Sequence, residues 1–133
     1  MALITKLDIQ IQLLEGRSIL KKGYATPPFR IADITQDRNQ KKLDLMLMCS
    51  SPGMLSDDMY EIHICLEEGV ELHLKRQSYQ RLFNMEGVAR QNIHIEIGIN
   101  AVFHYLPHPV VPHRNSSFIA STDIYLNEGS ELL

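Results

Sequence analysis

A chain of 133 residues, 44% hydrophobic and 22% charged, has the composition of one ordinary globular domain that buries about two-thirds of its unfolded surface. Its net charge is −3 and its lysines and arginines form no block, so neither nucleic acid nor an anionic membrane finds an electrostatic footprint. No run approaches the ~18 apolar residues of a membrane span, and the amino terminus lacks a signal-peptide apolar region, so the expected location is cytoplasmic. In that compartment Cys49 and Cys65, each inside an apolar run, read as buried reduced thiols.

Residues 7–13 alternate without a break, with Leu7, Ile9, Ile11 and Leu13 opposed to Asp8, Gln10 and Gln12, which is the pattern of a half-buried strand. Glu15-Gly16 turns it and residues 18–20 begin the return. Residues 21–30 hold Gly23, Tyr24, Pro27, Pro28 and Phe29, and the paired prolines predict an extended, ordered loop. Residues 31–34 suit a short strand, 36–42 a polar turn, and 43–48 a strand with Leu43, Leu45 and Leu47 on one face. Pro52-Gly53 and Asp57-Asp58 mark a loop. Tyr60, Ile62, Ile64 and Leu66 then alternate with Glu61, His63 and Cys65. Glu68-Gly69 turns this strand and Leu72-His73-Leu74 continues as the next. Residues 77–85 have no period of two and read as a loop or a single helical turn.

Residues 91–99 give the cleanest alternation, Ile93, Ile95, Ile97 and Ile99 against His94, Glu96 and Gly98. The stretch from 101 to 106 reads as a strand apolar on both faces and therefore covered on both. Pro107, Pro109 and Pro112 then remove three donors and set three φ angles, so a stiff extended arm carrying His108 and His113 is expected rather than a strand interior. Residues 118–126 alternate once more. No segment supports an amphipathic helix of about ten residues or more.

Gly69, Gly98 and Gly129 each interrupt a strand–Gly–strand pattern and recur about thirty residues apart, with Gly16 an outlying copy. That period suggests stacked two-strand layers, although Glu-Gly is also a common hairpin turn. The expected fold over 1–133 is therefore all-β: a layered β-sandwich or β-helix-like stack of short, mainly antiparallel strands.

No catalytic constellation is present. No Gly-rich loop opens a helix, neither cysteine has a partner at metal-finger spacing, and Ser50 and Ser51 lack a glycine two residues upstream. Asp57-Asp58 reads as a solvated loop. His63, His73 and His94 fall on the polar sides of their strands and read individually as solvent-facing or hydrogen-bonded residues. His104, His108 and His113 are closer together, but the prolines forbid the helix that their spacing would need for a tight metal site.

Four stretches taken together resemble the urease accessory protein UreD family, called UreH in some bacteria. They are Tyr24-Ala25-Thr26-Pro27-Pro28-Phe29, Ser51-Pro52-Gly53 with Asp58 following, Gln77-Ser78-Tyr79-Gln80-Arg81-Leu82-Phe83, and Leu106-Pro107-His108-Pro109-Val110-Val111-Pro112-His113. The resemblance implies a non-enzymatic maturation factor of mainly β structure. Such a protein binds UreF, reaches the nickel-carrying GTPase UreG through it, and docks on apo-urease, with nickel in transit and no tightly bound cofactor. Loops on a rigid scaffold concentrate binding groups. The partner or conduit candidates are accordingly Tyr24, Pro27, Pro28, Phe29, Asp58, Gln77, Ser78, Tyr79, Gln80, Arg81, Phe83, His108 and His113. Weak, transient metal ligation is expected of Asp58, His104, His108 and His113.

Two departures qualify the resemblance. Ser51-Pro52-Gly53 stands where many members carry a Gly-Gly-rich segment, and the family's domain continues past the point where this chain stops, at Leu132-Leu133. The second departure leads to the expectation of an incomplete domain, completed by a partner, a second copy or a separate polypeptide. The alternative function is a small metal- or ligand-binding cupin-like domain using His104, His108 and His113.

Overall fold

The structure is a computed structural model that describes residues 4–27, 29–37, 39–49, 58–76, 80–82, 88–106, 110–112 and 118–133. Its strands are β1 (Ile4–Leu14), β2 (Arg17–Ala25), β3 (Phe29–Asp33), β4 (Leu43–Cys49), β5 (Met59–Leu66), β6 (Glu71–Arg76), β7 (Gln80–Leu82), β8 (Ala89–Ile97), β9 (Val102–Leu106), β10 (Val110–Pro112), β11 (Phe118–Leu126) and β12 (Glu131–Leu132). No helix occurs among the described residues, so none is long and apolar enough to cross a membrane.

The strands form two five-stranded sheets, ordered β11-β8-β5-β1-β2 and β12-β9-β6-β4-β3, and a two-stranded sheet of β10 and β7. The path is that of a coil. β5 runs in the first large sheet, a turn carries the chain to β6 in the second, β7 forms a short third side, and β8 returns beside β5. Each layer thus repeats after about thirty residues, the period carried by the glycines.

The all-β, layered expectation stands, but the strand direction differs from it. Only β1–β2 and β3–β4 pair antiparallel among the described pairs; β1–β5, β5–β8, β8–β11, β4–β6, β6–β9, β9–β12 and β7–β10 are parallel. In a coil, consecutive strands lie in different sheets, and each strand pairs with its equivalent one turn later in the same direction. Alternation with a period of two is identical for both directions, so it cannot report this.

The register stacks like on like. Ile9, Ile64, Ile95 and Ile124 form one row across the first sheet, and Leu7, Ile62 and Ile93 another. Leu72 pairs with Leu43 and Phe103 in the second sheet. Ile9, Ile64, Ile95, Leu72 and Phe103 are all at most 1% exposed, so the two inner faces make one core. A buried aliphatic side chain of this kind contributes about 1.5–3 kcal/mol.

The turns stack as well. Gly69 N–H donates to the Ile99 carbonyl at 2.9 Å, and Asn100 N–H donates to the Glu128 carbonyl at 3.0 Å. Gly69 and Gly129 take positive φ, 75° and 71°, but in the middle layer Asn100 holds that conformation at 58°. Gly98 serves another purpose: a Cβ there would meet the Leu66 carbonyl oxygen at 2.8 Å, where the two coils touch backbone to backbone.

Three segments expected to be irregular contain strands. Residues 21–25 complete β2, an edge strand held by backbone pairing to β1 across a bulge at Gln10/Ile11. Its side chains are mostly exposed, so it buries no apolar face and shows no period. Within 77–85, Gln80–Leu82 is β7, and within the proline arm Val110–Pro112 is β10, its parallel partner. A proline is tolerated there because a two-stranded sheet has only edges.

Candidate functional site

The outer face of the first large sheet carries a row of polar side chains one residue wide. Tyr24, Asp8, His63, His94 and Asp123 are successive register partners on β2, β1, β5, β8 and β11. They line a shallow groove of about 590 Å³ together with Lys6, Lys22, Glu61 and Asn92. The chain neighbours of Asp8, His63 and His94 are core residues (Leu7 and Ile9, Ile62 and Ile64, Ile93 and Ile95), so the pleat points these three outward, and register carries the row on to Tyr24 and Asp123.

The row is electrostatically organised. Lys22 Nζ donates to Asp8 Oδ2 at 2.8 Å, and Asp8 Oδ1 lies 3.4 Å from His63 Nδ1. The Lys22 hydrogen bond, with the charges of Lys22 and His63, holds the Asp8 carboxyl below its ordinary range. The His63 and His94 rings are tilted against each other with centroids 4.9 Å apart, and Tyr125 follows at 5.0 Å from His94. His94 Nε2 lies 3.0 Å from Glu96 Oε1, and this bond holds the Glu96 carboxyl low. Cys65 Sγ donates to Glu96 Oε2 at 3.7 Å. Partial burial and the Glu96 charge push its thiol up.

A second row lies on the other sheet. Asp44, His73 and His104 are register partners on β4, β6 and β9. The two imidazoles stack with centroids 4.1 Å apart and planes 8° from parallel. His73 Nε2 lies 3.0 Å from Glu71 Oε2, and its Nδ1 lies 4.0 Å from Asp44 Oδ1.

The candidates chosen from sequence are distributed differently. Tyr24 is exposed and lines the groove, and Pro27 is exposed beside it in sequence. Phe29 is 2% exposed and meets Tyr60 edge to face at 4.8 Å, so it belongs to the core rather than to a binding surface. Asp58 is 8% exposed, which corrects the solvated-loop reading; it precedes β5, and its backbone carbonyl accepts from Arg90 N–H at 2.9 Å. Inside the same end of the core lie Tyr60 and Arg76, both buried, and the half-buried Tyr105. Burial, with the neighbouring Cys49 thiol, drives the Tyr60 phenol up, and burial does the same for Tyr105. Cys49 and Cys65 are free thiols, half-buried rather than buried.

His104 is half-buried and stacks on His73, so the outer face of β9 is not the apolar surface expected of it. Gln80 and Arg81 lie in β7. Pro28, Gln77, Ser78, Tyr79, Phe83, His108 and His113 fall outside the described residues. The residues missed from sequence are His63, His94 and Glu96, which one-strand reading treated singly. The signal that unites them is the repeat: His63 and His94, and likewise His73 and His104, are separated by the same ~30 residues as the turns.

The family model described as UreD urease accessory protein matches residues 4–133. A urease accessory protein UreD of Flavobacterium johnsoniae is 45% identical over 130 residues, 98% of this chain and 47% of the relative. One from Actinobacillus pleuropneumoniae is 38% identical over 123 residues, 90% of this chain and 46% of the relative. One from Acetivibrio thermocellus is 31% identical over 130 residues, 97% of this chain and 50% of the relative. The chain thus spans about half the length of the curated relatives it matches, and with the family model spanning residues 4–133 it belongs to the UreD urease accessory protein family.

Proposed function

We propose that this chain acts in urease maturation as a non-enzymatic scaffold and metallochaperone, helping to deliver nickel to the urease active site. The family match over residues 4–133 carries this reading. Its partners are UreF, UreG through UreF, and apo-urease, in the cytoplasm. Nickel is cargo in transit rather than a resident cofactor. One feature of the fold supports the role. Stacked coils give a stiff scaffold whose outer rows present imidazole and carboxylate groups, donors that suit divalent first-row metals.

The cupin-like alternative has less support. A cupin barrel is built from antiparallel strands whose ligands face inward. Here the stack is largely parallel, and His104 sits opposite the pleat from the buried Phe103.

The test is co-expression with UreF and the urease subunits in cells lacking their own UreD. Co-purification with UreF and a gain of urease activity that depends on nickel in the medium are the expected results. Absence of both, from soluble chain, would overturn the assignment.

A further inference from the structure

We propose that His63, His94 and Glu96 form a binding site for a late first-row divalent cation on the outer face of the first sheet, at the end of the groove. One donor atom from each of the three lies within 4.8 Å of the other two. All three sit on β5 and β8, whose register is set by an unbroken parallel ladder from Met59↔Arg90 to Leu66↔Ile97. The backbone therefore holds them in place, and only side-chain torsions are needed to close on an ion.

The distances suit such an ion. Donors bound cis to one metal at ~2.1 Å lie about 3 Å apart. His94 Nε2 and Glu96 Oε1 are 3.0 Å apart already, bridged by a proton that a cation would displace. His63 completes the set from the neighbouring strand. Its Nδ1 faces the Asp8 carboxylate at 3.4 Å, which leaves Nε2 as the ligand nitrogen. A carboxylate behind a metal-bound imidazole is the arrangement that fixes its tautomer and raises its basicity. Asp8 is in turn anchored by Lys22 at 2.8 Å. The charge balance also favours a cation, because Lys22 is already matched by Asp8 and leaves Glu96 to the metal.

The donor set selects among ions. Two imidazoles and one carboxylate favour nickel, copper and zinc over magnesium and calcium. Three protein ligands leave coordination positions open, and the side chains of His63, His94 and Glu96 are 45%, 37% and 48% exposed. Water or a donor from another molecule can fill those positions, so bound metal exchanges readily. The inference stands on this geometry alone and not on the nickel-delivery reading.

The test uses the chain without any partner. Calorimetric titration with Ni²⁺ or Zn²⁺ in a non-coordinating buffer at neutral pH is expected to give one site. His63→Ala and His94→Ala should each weaken it at least tenfold, and Glu96→Gln severalfold, while His73→Ala on the opposite sheet leaves it in place. Mg²⁺ should not compete. Because the three side chains are exposed, unfolding temperatures should stay within a few degrees of wild type. A second measurement needs no variant: Ni²⁺ should protect His63 and His94 from carbethoxylation, read by mass spectrometry, and leave His73 and His104 reactive. Full affinity in His63→Ala and His94→Ala, or equal reactivity of His63 and His94 with and without Ni²⁺, would overturn the site.

Discussion

His73 and His104 lie ring on ring, 4.1 Å between centroids and 8° from parallel, although one full turn of coil separates them in sequence. The stack exists because the parallel ladder superposes equivalent positions of successive layers. Its energetic weight is small beside that of the core behind it. Cross-strand pairs on an exposed face contribute about 0.2–1 kcal/mol. His104→Ala is therefore expected to cost less than about 1 kcal/mol, whereas Phe103→Ala, one residue away and fully buried, should cost about 3–5 kcal/mol. Urea denaturation of the two variants measures the contrast. Equal losses would mean that the imidazole stack carries core-like energy.

Gly98 is the position where the turn of one coil meets the backbone of the previous one. A methyl group there would lie 2.8 Å from the Leu66 carbonyl oxygen and 2.9 Å from the Glu67 carbonyl carbon, and neither is a flexible side-chain end. The Gly98 N–H bond to that same Leu66 oxygen, at 2.8 Å, would have to stretch. Gly98→Ala should thus destabilise by more than ~1 kcal/mol, beyond the range of ordinary surface changes. Asn100→Gly, which places the permissive residue where φ is 58°, should be close to neutral. Thermal unfolding of both variants is the check.

Asp8 links stability to pH in the acid range. Its carboxyl is held below its ordinary value of 3.8, chiefly by the hydrogen bond from Lys22. A carboxylate depressed in the folded state adds stability above its unfolded pKa and loses it as pH falls through the folded one. The contribution is complete at pH 7 and fades below about pH 4. The pair is partly exposed, which limits it to about 1 kcal/mol or less. Between pH 7 and pH 3, wild type should lose more of its urea midpoint than Asp8→Asn. Identical slopes would count against the coupling.

Cys65 reports on Glu96. Partial burial and the adjacent Glu96 carboxylate both disfavour its thiolate. Alkylation by iodoacetamide at pH 8 should accordingly be slower than that of a model thiol. Glu96→Gln removes the charge but keeps the shape, and should speed the reaction severalfold. An unchanged rate would assign the raised pKa to burial alone.

The strands and their inward faces were legible in the sequence because burying one face of a sheet imposes a period of two on the chain itself. Ile93, Ile95 and Ile97 show it without a break, and all are buried. The repeat of about thirty residues was legible for a similar reason: each layer needs its own turn, and a turn needs glycine or asparagine at its left-handed position. Residues 21–25 escaped, since that half of β2 is held by backbone pairing while its side chains are mostly exposed, and β7 and β10 escaped because three residues each are too few to show a period. Strand direction escaped too, because alternation reads the same whichever way the neighbour runs. The outer-face rows belong wholly to the tertiary structure. His63 and His94 are individually ordinary polar residues on separate strands, and Glu96 is an ordinary acid. Only the parallel register, decided by how isoleucine and leucine layers stack inside, places those three groups within 4.8 Å of one another on the outside.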